Sequence, residues 1–269
     1  MLLFAKGKST MRKVEFDYPV RTMTYRTVGE RHLQLYVFEP EQLKPDRPAI
    51  LFFNGGSFQQ YGPTPAQFQH QADYFASQGI IAICVDYRNG DDEGFSPIQA
   101  ICDAKSAIRK VRASAGELGI DPNKIAVCGA SAGGYIAVSS IMLQHVEDEP
   151  DPTRHTPDAL IVFAAGMDGI DIMGRLYPEL LDTAEQLSPL HNVKACLPPT
   201  LWMCGTADPI FEQNQRFVDR MNSCGNNILF KIYNGMEHGF FNYGRHENKC
   251  FQETSAEIRR FLASLGYTT

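Results

Sequence analysis

Four short clusters carry side chains that could do chemistry together: Asn54-Gly55-Gly56-Ser57-Phe58, Gly129-Ala130-Ser131-Ala132-Gly133, Gly205-Thr206-Ala207-Asp208-Pro209 and Glu237-His238-Gly239-Phe240. In chain order they offer a glycine loop, a hydroxyl, a carboxylate and an imidazole. A serine hydroxyl attacks a carbonyl only when a base removes its proton, and the base works best when an acid fixes its tautomer. Ser131 lies where an apolar run over 124–128 breaks and then resumes with a helix-compatible pattern, so it occupies a sharp strand-to-helix turn. Gly129 and Gly133 flank it because a side chain at either place would collide with the neighbouring strand or helix as the chain reverses. Taken alone, the pentapeptide also fits a small-residue turn that merely lets a helix pack on a sheet.

The elements that must position these residues follow from periodicity. Residues 49–53, 80–85, 124–128, 159–163, 200–204 and 228–233 are apolar runs of strand length, several of them continuous as in strands buried on both faces. Helical spacing fills 67–78, a long stretch from Ser96-Pro97 to about 117, then 135–143, 211–223 and 250–265. Residues 21–28 and 32–38 form an antiparallel hairpin across Gly29-Glu30. Asp121-Pro122-Asn123 reads as a turn, 147–157 as a charged surface loop and 167–199 as an irregular cap. This alternation predicts an α/β fold with a mostly parallel sheet covered by helices on both faces. Sites in such sheets gather at the carboxyl ends of the strands, where all four clusters fall.

Composition narrows the function classes. The chain has 269 residues, 43% apolar content and a net charge of −6. That suits one domain over 21–269, with an N-terminal extension over 1–20 and a short cap insertion over about 167–199. An acidic surface gives no favourable field for nucleic acid or an anionic membrane. Seven cysteines is an odd number, and Cys84, Cys128 and Cys204 fall in buried strands, the usage of a reduced cytoplasmic protein. The apolar Met1–Ala5 stretch meets Lys6 and Lys8 too soon for a signal peptide or a membrane span, and Met11 is a possible alternative start. The cysteines lack metal-ligand spacing and no glycine loop is followed by a phosphate-binding lysine, so no metal and no cofactor are expected. Nothing in the sequence sets an oligomeric state.

The four clusters, together with Asp86-Tyr87-Arg88, resemble the α/β-hydrolase fold from about residue 21 onward. Within it they are similar to the acetyl-esterase and feruloyl-esterase-like members related to hormone-sensitive lipase. The resemblance implies Ser131 as nucleophile, His238 as base and Asp208 as the acid that holds the imidazole. Asp168, at another strand end, is a competing acid, and Glu237 ranks last because it adjoins the histidine. The other histidines fall in a hairpin, in helices or in polar loops. The resemblance also implies an oxyanion site built from the backbone N–H groups of Ala132, Gly55 and Gly56. Here the chain departs from the family pattern: Asn54 replaces a histidine and Ser57 a third glycine. Asp86, Arg88, Asp103 and Arg109 are expected to brace loops rather than react. Ser57, Gln60, Tyr61 and Tyr135 are candidate substrate contacts, with Gln59 beside them.

The implied activity is a serine hydrolase acting on a small-molecule ester of short-chain or aromatic acyl type. The cap of about thirty residues suits small acyl groups better than long lipids. An amidase such as a formamidase, or an acyl-transfer enzyme, would use the same residues. A non-catalytic binding protein would not need all three.

Overall fold

The computed structural model describes residues 13–42 and 44–267; the first twelve positions of the expected N-terminal extension, Met11 among them, lie outside these. Among the described residues, eight strands form one sheet in the order β1-β2-β4-β3-β5-β6-β7-β8. They are β1 (Arg21–Val28), β2 (Arg31–Phe38), β3 (Arg47–Phe53), β4 (Ile81–Val85), β5 (Ile120–Ala130), β6 (Ala159–Phe163), β7 (Thr200–Gly205) and β8 (Ile228–Tyr233). β1 with β2 and β2 with β4 are antiparallel; from β4 to β8 every pairing is parallel. Parallel neighbours need crossovers, which the helices supply: α1 (Gln69–Ser77), α2 (Pro97–Ala113), α3 (Ala115–Leu118), α4 (Ala132–Met142), α5 (Gly169–Leu176), α6 (Phe211–Ser223) and α7 (Lys249–Ser264).

The period of two along a strand sends alternate residues to opposite layers. In β3, Ala49, Leu51 and Phe53 enter one core with Ile101 and Ile108 of α2, Ile136 of α4 and Phe217 of α6. Ile50 and Phe52 enter the other with Phe68, Phe75 of α1 and Ile258 of α7. The central strands are therefore closed to water on both faces. What remains open is the rim where the strands end.

Three expectations are corrected. Asp121-Pro122-Asn123 belongs to β5, which starts at Ile120 opposite Arg47; a register irregularity between Arg47 and Ala49 absorbs the proline and the local Asp121 turn. The long helix stops at Ala113, and α3 follows it to a left-handed Gly119. The segment 167–199 is not all irregular, since it carries α5 and a 3-10 turn over Pro178–Thr183. Asp168 starts α5: its Oδ1 accepts hydrogen bonds from the N–H groups of Ile170 at 3.1 Å and Asp171 at 3.4 Å.

Candidate active site

Ser131 joins β5 to α4 with φ 52° and ψ −120°, a backbone state that costs an L-residue energy and persists only where the surroundings enforce it. They do so here. Ser131 N–H donates to Phe163 O at 2.9 Å, and a Cβ on Gly129 would lie 2.4 Å from Gly133 O, one on Gly133 2.1 Å from Phe53 O. Both positions therefore require glycine. α4 begins at Ala132 rather than 135, because Gly133 and Gly134 are helical despite their poor propensity.

Two further strand ends are docked on each other. Thr206 N–H donates to Tyr233 O and Ala207 N–H to Met236 O, both at 3.0 Å. These bonds pin the loop after β8 to the loop after β7. Asp208, whose carboxylate is buried, then accepts a hydrogen bond from His238 Nδ1 at 2.7 Å on Oδ2 and one from Ile210 N–H at 3.0 Å on Oδ1. A carboxylate can only accept, so the imidazole proton sits on Nδ1 and the Nε2 lone pair is left available. The competing acids are occupied elsewhere: Asp168 caps α5, and Glu237 turns to Arg245 and His246.

Ser131, Asp208 and His238 line one cavity of about 420 Å³, and no other histidine lines it. Its walls include Phe58, Tyr135, Ile172, Leu176 and Ile210, with Ser57, Gln59 and Arg175 as polar points. Tyr135 presents its ring, because its hydroxyl donates to Leu187 O at 2.6 Å. Burial pushes that hydroxyl's pKa well up. Ile172, Arg175 and Leu176 come from α5, a helix inside the segment 167–199 that the sequence presents as irregular. Spacing could have found them: Ile172, Met173 and Leu176 recur at helical intervals behind an Asp168 cap.

The glycine loop holds two corrections. Gly55 N–H donates to Gln67 Oε1 at 2.7 Å, so it cannot also face an oxyanion. Among the described residues, the N–H groups of Gly56 and Ser57 have no protein partner, and Ser57 borders the cavity with φ 52°. Ala132 N–H lies at the open start of α4. Gln60 and Tyr61 do not reach the cavity. Successive left-handed residues, Ser57 and Phe58, swing the loop outward, Tyr61 is 76% exposed, and its N–H donates to Asp91 Oδ1. Asn54 is buried and braces the turn through Nδ2, which donates to Gly55 O and Pro63 O, both at 2.9 Å.

Asp86, Arg88, Asp103 and Arg109 lie away from this cavity in ion pairs, Asp86 with Arg31 at 3.0 Å and Arg109 with Glu147 at 2.7 Å. Arg88 holds Asp103 through Nε at 2.8 Å and Nη2 at 2.7 Å, and Arg26 Nη1 adds 3.1 Å from β1. Among the described residues, no group of three His, Cys, Asp or Glu is arranged to hold a metal ion.

Comparison with known proteins gives the same picture over most of the chain. A family model named BD-FAE matches residues 33–159, and one described as alpha/beta hydrolase fold matches 149–242. Thermogutta terrifontis esterase 2 phosphonylated by sarin superposes with a TM-score of 0.87 at 35% identity, covering 93% of this chain and 96% of that one. The same esterase with propionate bound gives 0.85 at 35% identity over the same shares of this chain and 96% of its own. Esterase LipC of Mycobacterium tuberculosis is 26% identical over 84% of this chain, which spans 65% of LipC's length.

Proposed function

The chain belongs to the α/β-hydrolase family, and from that membership we propose that it hydrolyses short-chain carboxylic esters through an acyl-enzyme on Ser131. The observation that carries this is the 2.7 Å bond from His238 Nδ1 to Asp208, made at the edge of the cavity that Ser131 lines. Ser131 Oγ attacks the ester carbonyl while His238 Nε2 takes its proton; Asp208 stabilises the imidazolium that results. Charge gathering on the carbonyl oxygen is met by the N–H groups of Ala132, Gly56 and Ser57. Collapse breaks the C–O bond, and the departing alkoxide takes the proton from Nε2. Water then enters as the second nucleophile, gives its proton to the same nitrogen and releases the acid, with the proton returning to Ser131.

A short acyl group suits the cavity, whose apolar walls close in at Phe58, Tyr135 and Ile172. The propionate held by the Thermogutta esterase agrees with that size. Among the described residues no helix is long and apolar enough to cross a membrane. The seven cysteines are all free, and with this usage we place the protein in the cytoplasm.

A fluorophosphonate probe, followed by turnover of acetyl, butyryl and decanoyl esters and of formanilides, tests the proposal. We expect an adduct on Ser131 and rates that fall from acetyl to decanoyl. No adduct and no ester turnover would overturn it, and preference for formanilides would reassign it to amide hydrolysis.

A further inference from the structure

The loops that carry the oxyanion N–H groups and the base follow β3 and β8, which are separated in the sheet by β5, β6 and β7. No direct strand pairing therefore joins them. One chain of side-chain amides does span them. Gly55 N–H donates to Gln67 Oε1 at 2.7 Å, Gln67 Nε2 donates to Asn242 Oδ1 at 3.2 Å, and Asn242 Nδ2 donates to Gly239 O at 2.8 Å. Gly239 directly follows His238. The two ends fix the direction of every link: an N–H at Gly55 demands an acceptor, a carbonyl at Gly239 demands a donor, and each carboxamide between them has only one orientation that satisfies both neighbours.

We propose that Gln67 and Asn242 are positioning residues that hold the oxyanion loop and the His238 loop at one fixed separation. This rests on the ester-hydrolase reading above. With Gly55 N–H tied to Gln67, the Gly56 and Ser57 N–H groups, without a protein partner among the described residues, are left to serve the oxyanion. At the other end Asn242 fixes the carbonyl on the residue after His238, where the backbone is left-handed with φ 79°. Neither carboxamide lines the cavity, so neither touches substrate. Their contribution is to the transition state, in which the charged carbonyl oxygen and the proton on Nε2 must be served at once. A second tie between the same regions, from buried Gln71 Nε2 to Phe241 O at 3.2 Å, stops short of Gly55. It docks α1 on the loop without joining the relay, and so provides an internal control.

The test measures kcat and KM on an activated acetyl ester for wild type, Gln67→Met, Asn242→Leu, their double variant, Gln67→Glu and Gln71→Met. Each relay variant should lower kcat about 10-fold, as expected for misplaced catalytic groups, with KM held within about twofold. The double variant should lie within about twofold of the singles, because a relay cut once is already broken. Gln67→Glu keeps the acceptor beneath Gly55 but puts a carboxylate charge where the donor to Asn242 was, so its kcat should fall at least as far as that of Asn242→Leu; it also stands in should Gln67→Met fail to fold. Gln71→Met should lower the melting temperature with kcat retained. Losses that multiply in the double variant, or an unchanged kcat in Gln67→Glu, would overturn the relay while ester turnover by wild type persists. Wild type without ester turnover would instead sink the activity itself, and the relay with it.

Discussion

At Asp208, a single short hydrogen bond decides which nitrogen of His238 carries the proton. An amide in that place could present its NH2 group to Nδ1 and force the proton onto Nε2, where it blocks acceptance from Ser131. Asp208→Asn should therefore lower kcat on a short ester by about 10³–10⁴-fold with little change in KM, and a loss of less than tenfold would show that His238 needs no such orientation. The residues in this cluster are legible in the sequence because their types are rare in combination and their order along the chain is fixed. The oxyanion loop is less legible, since the direction of an N–H depends on dihedrals that a glycine leaves free. Gln67 takes the Gly55 amide, and nothing in a polar residue ahead of α1 announces that. Gln60 and Tyr61 mislead for a similar reason: two L-residues with positive φ turn the loop away, and sequence gives no warning of that state.

Among the elements, α5 shows how a single cap supports a cavity wall. Asp168 satisfies two N–H groups at its start, and the same first turn carries Asp171, which holds Arg175 Nη2 at 2.8 Å. Gln213 Nε2 steadies Asp171 from α6 at 3.3 Å. Asp168→Ala should cost about 1 kcal/mol of stability and loosen the wall formed by Ile172, Arg175 and Leu176. The expected kinetic result is a raised KM for short esters with kcat nearly unchanged; a fall in kcat at constant KM would instead make Asp168 part of the chemistry. Strands were legible because continuous apolar runs of five or six residues leave few alternatives. The start of α4 and the break between α2 and α3 were not, because glycine-rich helix starts and one-residue hinges are set by packing and leave the periodicity intact.

Across the whole molecule, two partly buried groups, one beside α2 and one just past β4, titrate with opposite effects on stability. His155 packs beside Arg109, whose Nη2 lies 3.2 Å from its Nδ1. Burial, then the Lys105 and Arg109 charges, hold its pKa down to about 4. A histidine depressed in the folded state contributes stability above its ordinary value near 6.5 and loses it as the pH falls towards 4. Asp86 has the opposite sign. Burial raises its carboxyl to about 6, so the fold gains from its protonation over nearly the same range. The two tend to cancel in wild type, and a variant separates them. The melting temperature of His155→Gln, relative to wild type, should rise progressively between pH 6.5 and 4; a difference independent of pH would remove His155 from the balance. The sheet and its layers could be read from alternation alone, whereas strand order and the ion pairs of Arg26 could not. Arg26, Asp103 and Asp148 lie far apart in the chain, and only the closed fold makes them neighbours.

Lys105, near the middle of α2, has no exposed surface. Its ammonium group donates to Leu143 O at 3.0 Å and to Val146 O, closing the carboxyl end of α4. Burial lowers its pKa, yet the amine cannot meet a reagent while α2 and α4 stay together. An amine-acylating label supplied in excess would mark solvent-facing lysines at once and Lys105 only when those helices part. The growth of that one modified peptide with time would serve as a stopwatch for the opening of the core, readable by mass spectrometry without a denaturant.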